Sequence, residues 1–148
     1  MEAHSLIISN ILKVKGRSVT TARPDDTVQE IAIRLAHRKI GAIVIVGDNG
    51  VVDGIISERD LIRVIALHGA EALQMKVDDV MTHDVITCSL STPVDETMEQ
   101  MTRGRFRHLP VIEDGALIGI VSIGDIVKHH IAEVELEVSA MRGYLATG

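Results

Sequence analysis

Aromatic side chains are almost absent: the chain has no tryptophan, one phenylalanine (Phe106) and one tyrosine (Tyr144). Single-stranded nucleic acid is held largely by stacking on aromatic rings, so that mode of binding loses its main tool. Excess positive charge is missing too. Fifteen lysines and arginines face 21 aspartates and glutamates, for a net charge of −6, and there is no broad basic face of the kind a phosphate backbone needs. Nucleic acid is not an expected partner. Cysteine appears once, at Cys88, which excludes an internal disulfide framework and fits a reducing compartment, the cytoplasm. No run approaches the roughly 18 apolar residues of a membrane helix, and the first residues lack the pattern of a secretory signal. A soluble cytoplasmic protein is expected. The 148 residues are one domain's worth, and 46% are hydrophobic, enough to bury a sizeable core.

What is present is one unit written twice. Val19–Arg63 can be laid over Val85–Lys128 with one residue dropped near Asn49, and ten of the 44 aligned positions are then identical. Thr21 meets Thr87, Val28 meets Val94, Gly50 meets Gly115, Gly54 meets Gly119, Ser57 meets Ser122 and Asp60 meets Asp125. Each copy predicts the same order of elements. A short strand (Val19–Ala22, Val85–Cys88) leads through a turn to a helix, opened by Asp26-Thr27 in one copy and Thr92-Pro93 in the other, with Pro93 in the first helical position. Val28, Ile31, Ala32, Leu35 and Ala36 form an apolar stripe at helical spacing, and Val94, Thr97, Met98 and Met101 a weaker one. A hairpin follows. "AIVIV" and "VVDGII" flank Gly47-Asp48-Asn49-Gly50, and "LPVI" and "ALIGIV" flank Glu113-Asp114-Gly115; Asn-Gly and Asp-Gly tolerate the positive φ of tight turns. A second helix starts at Ser57 or Ser122.

The fold class is therefore α/β (α+β), two tandem β-α-β-β-α repeats related by a pseudo-two-fold axis. The divisions are an N-terminal helical segment (1–18), repeat one (19–68), a linker (69–84), repeat two (85–131) and a C-terminal helix extension (132–148). The continuous apolar strands call for sheets covered on both faces. One repeat of about 60 residues is marginal alone; two packed sheet on sheet leave a cleft between them. Ile131, Val134, Val138, Met141 and Leu145 continue a stripe beyond repeat two, to be covered by the first helix of the other repeat or by a second subunit.

The doubled unit, with "GIISERD", "GIVSIGD", "DVMT" and "GRFRHLPV", resembles the CBS-domain family (named for cystathionine β-synthase) in its paired form, over about residues 8–145. It is most similar to bacterial stand-alone pairs. The resemblance implies a regulatory, non-catalytic module that binds an adenine nucleotide or adenosyl ligand (AMP, ATP or NAD) between the repeats, forms a homodimer and acts in trans on an effector protein. It implies ribose contacts for Asp60 and Asp125, phosphate-side contacts for Ser57 and Ser122, and base or phosphate contacts for Thr21 and Thr87. Arg107, His108 and Arg59 would be phosphate donors, and Leu109 and Pro110 an apolar wall around the adenine. Repeat one has Gly41-Ala42-Ile43-Val44 where repeat two has Arg107-His108-Leu109-Pro110. The half-sites are thus unequal, giving one better site or one extended ligand such as NAD across both.

Each motif also has a plainer reading. Ser57-x-x-Asp60 and Ser122-x-x-Asp125 fit helix capping boxes, and a scaffold with a degenerate cleft is the alternative function. Arg103 and Arg105 read as solvated surface. His129 and His130 point about 100° apart on a helix, which completes no metal site. Cys88, in a buried strand, lacks an activating base. Met75, Met81, Met98 and Met101 read as fillers of core and linker gaps. Enzyme motifs such as a phosphate loop or nucleophile elbow are missing.

Overall fold

A computed structural model of the chain describes residues 6–147. The elements run α1 (Ile8–Lys15), β1 (Thr21–Ala22), α2 (Val28–Arg38), β2 (Ala42–Val46), β3 (Val52–Ser57), α3 (Glu58–His68), two 3₁₀ turns (Gly69–Gln74, Val77–Asp79), α4 (Val94–Gly104), β4 (His108–Glu113), β5 (Ala116–Ser122) and α5 (Ile123–Thr147). Two β-α-β-β-α repeats are present, as the doubled sequence requires. None of the described helices is long and apolar enough to cross a membrane.

Local chemistry explains the helix ends. At the start of α2, the Thr27 hydroxyl accepts the Glu30 N–H at 3.2 Å and the Glu30 carboxylate accepts the Thr27 N–H at 3.2 Å, a reciprocal cap. Pro93 stands at the cap of α4 rather than in its first turn, with no side-chain cap. Both helices end in a left-handed residue at matching positions, Lys39 (φ 55°) and Arg105 (φ 58°), which turns the chain into the next strand. The hairpin β4–β5 closes through Asp114 (φ 51°) and Gly115 (φ 79°), two successive positive φ values as in a type I′ turn.

The first strands differ from expectation, and a proline accounts for much of it. β1 shrinks to Thr21–Ala22 and pairs in parallel with β2 (Thr21↔Val44, Ala22↔Ile45), while the Val44 N–H donates to Thr20 O at 3.3 Å. In repeat two the expected strand Val85–Cys88 is reduced to one bridge, Cys88↔Val111. The residue matching Val44 is Pro110. It has no N–H to donate, so the counterpart of the Thr20 bond cannot form. The Pro110 carbonyl still accepts the Cys88 N–H at 3.0 Å. Repeat one thus carries a three-stranded sheet and repeat two a two-stranded one.

Two cores form, and each is completed by a segment from outside its repeat. Val28, Ile31, Leu35, Ile43, Ile45, Ile56, Leu61 and Val64 are joined by Ala72, Val77 and Met81 of the linker. Cys88, Val94, Met101, Leu109, Val111, Val121 and Ile126 are joined by Ile8, Ile11 and Leu12 of α1. The glycine of each hairpin makes the exchange possible. A Cβ at Gly54 would stand 2.5 Å from Met81 Sδ, and one at Gly119 would stand 3.0 Å from Leu12 Cδ1. Of the methionines read as fillers, Met81 and Met101 are buried, and Met75 and Met98 pack on the cores half-buried. Val44, which strand alternation directs away from Ile43 and Ile45, is fully buried as well, so β2 is covered on both faces.

α5 is one continuous helix of 25 residues. Its stripe is not covered by the described residues. Ile131, Val134, Val138, Met141 and Leu145 are all exposed, Val134 to 42% and Leu145 to 71%. α5 touches α1 and α4, and the expected seat on the first helix of the other repeat is not formed.

Candidate functional site

Between the repeats lies an open cleft of about 490 Å³. Repeat one contributes the end of β3 and the first turns of α3: Ile55, Ser57, Glu58, Arg59, Asp60 and Arg63. Repeat two contributes the end of α4 and the start of β4: Gly104, Arg105, Phe106, Arg107 and His108. Thr82, Asp84, Val85 and Ile86 close a third side. Its Val85–Ile86 end is the part left without ladder pairing opposite Pro110.

Ser57 and Asp60 form a capping box. The Ser57 N–H donates to Asp60 Oδ2 at 2.8 Å, and the Asp60 N–H donates to Ser57 Oγ at 3.3 Å. The capping reading therefore holds, and it leaves the second carboxylate oxygen, Oδ1, facing Arg63 at 3.3 Å. The cap fixes the carboxylate at the rim while the N-terminus of α3 adds a favourable field for anions. Four arginines (Arg59, Arg63, Arg105 and Arg107) surround the same space, and Ile55, Val85, Ile86 and Phe106 give it an apolar side. Gly104 is part of this geometry: a Cβ there would collide with the Phe106 ring.

His108 reaches across to repeat one. A Cβ at Gly41 would come 3.1 Å from His108 Nε2, so the glycine that replaces Arg107 in repeat one makes room for the imidazole. Burial lowers the His108 pKa, and Lys15 lowers it further, against the opposing pull of Glu58 and Asp125. The shift favours the neutral form of the ring. Each repeat also seats its second helix on the start of its own hairpin. The Glu58 N–H donates to Gly41 O, and the Ile123 N–H to Arg107 O, both at 2.9 Å.

Of the residues expected at the site, Ser57, Arg59, Asp60, Arg107 and His108 come together in this cleft. The others do not. Leu109 is fully buried in the core of repeat two, because strand alternation turns it away from the side His108 faces. Pro110 is buried and is not a wall of the cleft. Thr21 and Thr87 are exposed and lie outside it. Ser122 and Asp125 form the second capping box, with Ser122 N–H to Asp125 Oδ2 at 2.9 Å and Asp125 N–H to Ser122 Oγ at 3.1 Å, but they do not line the cleft either. Arg103 is surface as expected, paired with Glu99 at 2.5 Å. Arg105 is exposed, as expected, and also lines the cleft. Arg63 was missed, although its spacing of four from Arg59 on one helix was the available signal. Burial pushes the Cys88 thiol up to about 12, which leaves it inert as a nucleophile at neutral pH.

Two repeats sharing a cleft of this construction define a tandem CBS pair. The CBS-domain profile matches the chain twice, over residues 12–67 and 77–131, and the chain belongs to that family. It is 37% identical to the mitochondrial CBS domain-containing protein CBSX3 of Arabidopsis thaliana, over 97% of this chain and 74% of that one. The CBS-domain containing protein ATU1752 of Agrobacterium tumefaciens superposes with a TM-score of 0.82 at 45% identity, covering 86% of this chain and 96% of that one. The CBS domain pair of protein MJ0100, in complex with 5′-methylthioadenosine and S-adenosyl-L-methionine, superposes with a TM-score of 0.77 at 25% identity, over 87% and 98% of the two chains. CBS pairs are generally regulatory modules.

Proposed function

We propose that this chain is a non-catalytic sensor that binds an adenosine ligand with a phosphate tail, of the AMP, ATP or NAD kind, in the cleft at Asp60. One observation carries the reading: a carboxylate pinned at a helix N-terminus shares a 490 Å³ cleft with four arginines and an apolar side. Asp60 accepts the ribose hydroxyls, Arg59, Arg63, Arg105 and Arg107 take the phosphates, and the side made by Ile55, Ile86 and Phe106 holds the base. The four arginines favour a phosphate tail over the cationic sulfonium of S-adenosylmethionine. Output passes in trans to an effector protein in the cytoplasm. The exposed apolar stripe of α5 supports a homodimer.

Calorimetric titration with AMP, ATP, NAD and S-adenosylmethionine tests the reading. A phosphate-bearing ligand is expected to bind, and Asp60→Asn, which keeps an oxygen for the cap, is expected to weaken it by about 10- to 100-fold. Asp125→Asn should leave that site unchanged. No heat with any of the four overturns the reading in favour of a scaffold with a degenerate cleft.

A further inference from the structure

The pseudo-two-fold partner of Asp60 is already occupied. Lys15 lies in the last turn of α1, where the helix dipole favours a cation. Its ammonium donates to Asp125 Oδ2 at 2.5 Å and to Ile120 O at 2.7 Å. The pair is largely sheltered, with side-chain exposures of 31% and 24%. At the matching place in repeat one, the Ile55 carbonyl accepts the Thr82 backbone N–H at 3.0 Å, and the Thr82 carbonyl accepts the Ile55 N–H at 3.0 Å. An uncharged backbone bridge therefore satisfies that acceptor, and the outward oxygen of Asp60 meets Arg63 at 3.3 Å, an arginine whose side chain is itself 68% exposed at the cleft. In repeat two the carbonyl is met by a lysine ammonium, which is thereby delivered to the aspartate.

We propose that Lys15 is a built-in occupant of the second half-site, so that one nucleoside binds per chain, at Asp60, while the Ser122–Asp125 site is held closed by the chain's own cation. The inference rests on reading the Asp60 cleft as a nucleoside site. A ribose diol approaching Asp125 must displace an ammonium held by two charge-assisted hydrogen bonds, one of them to the carboxylate itself. The second site is accordingly weaker by at least about tenfold. The Asp125 carboxyl reflects the same contact: burial raises its pKa, but the Lys15 hydrogen bond and the Ser122 N–H outweigh this and hold it below 3.8.

The test uses adenosine, which has no phosphate, and ATP, which has three. Lys15→Met keeps the length of the stem and removes the charge; Lys15→Arg keeps the charge. Wild type and Lys15→Arg are expected to take one adenosine per chain by equilibrium dialysis, and Lys15→Met two, the second abolished by a further Asp125→Asn. Carboxyl NMR should show Asp125 titrating higher in Lys15→Met. Two equal sites in wild type, or binding by Lys15→Met at Asp60 alone, overturns the inference. So does a loss of ATP affinity in Lys15→Met with adenosine unaffected, which makes Lys15 a phosphate contact instead. Binding by Lys15→Met alone, at Asp125, removes the Asp60 reading and the one-per-chain stoichiometry with it, and upholds only the block of Asp125 by Lys15. Binding by neither protein removes both.

Discussion

The two repeats share a backbone plan and differ at the stretch where the hairpin begins. Repeat one starts its hairpin with Gly41-Ala42-Ile43-Val44, small and apolar; repeat two starts with Arg107-His108-Leu109-Pro110. Three consequences follow from four residues. Pro110 withholds an N–H, so the strand before it pairs at Cys88 alone, and Val85–Ile86 line the cleft. Arg107 and His108 bring polar groups to repeat one's helix N-terminus, while Gly41 offers none in return. Asp60 therefore faces an arginine-rich space, and Asp125 faces Lys15. Duplication supplies two capping boxes at matching positions; substitution at the start of one hairpin decides which of them shares a cleft with the arginines.

The comparison breaks hardest at the cores. Ile43 and Leu109 occupy matching positions and both are fully buried, so Ile43→Ala and Leu109→Ala should each cost about 2–5 kcal/mol in urea denaturation. Because α1, which precedes repeat one, completes the core of repeat two, both variants should show one unfolding transition. Two separated transitions would show that the repeats are energetically independent. The glycines that admit the borrowed segments come next. Gly54→Ala, with its Cβ 2.5 Å from Met81, should be the more costly, about 1–3 kcal/mol of overpacking; Gly119→Ala, at 3.0 Å from Leu12, should cost less. The reverse order would mean that Met81 yields more easily than the helix bearing Leu12. The mildest change is Pro110→Val. It restores the missing donor, and hydrogen exchange should find the restored amide protected against the Ile86 carbonyl, lengthening the short pairing at Cys88 toward the one in repeat one. An unprotected amide would show that proline is not what shortens the strand.

Much of this was legible in the residues. The repeat registered on Gly54, Ser57 and Asp60 against Gly119, Ser122 and Asp125, and hairpin turns and capping boxes depend on neighbours a few positions away. Such local patterns carry their own geometry. Leu109 was misplaced because its face depends on strand parity: one step along β4 moves a side chain from cleft to core. Arg105 was missed because a left-handed residue redirects the chain just there. Pro110 did carry a signal, since proline inside a strand removes a ladder bond, but which neighbour would lose its partner depended on pairing between segments 22 residues apart. Lys15 lies 110 residues from Asp125, and no local pattern announces a contact over that distance.

The crossing of segments also sets how the protein comes off the ribosome. Repeat one lacks Ala72, Val77 and Met81 until the linker has been made, and α1, which precedes both repeats, has its apolar face waiting for strands that come after repeat one. Repeat one can close its interior once Met81 has been made, whereas repeat two and α1 must wait for each other across it. A cut anywhere between the repeats would leave α1 on the wrong piece. The smallest inheritable unit of this architecture is the pair.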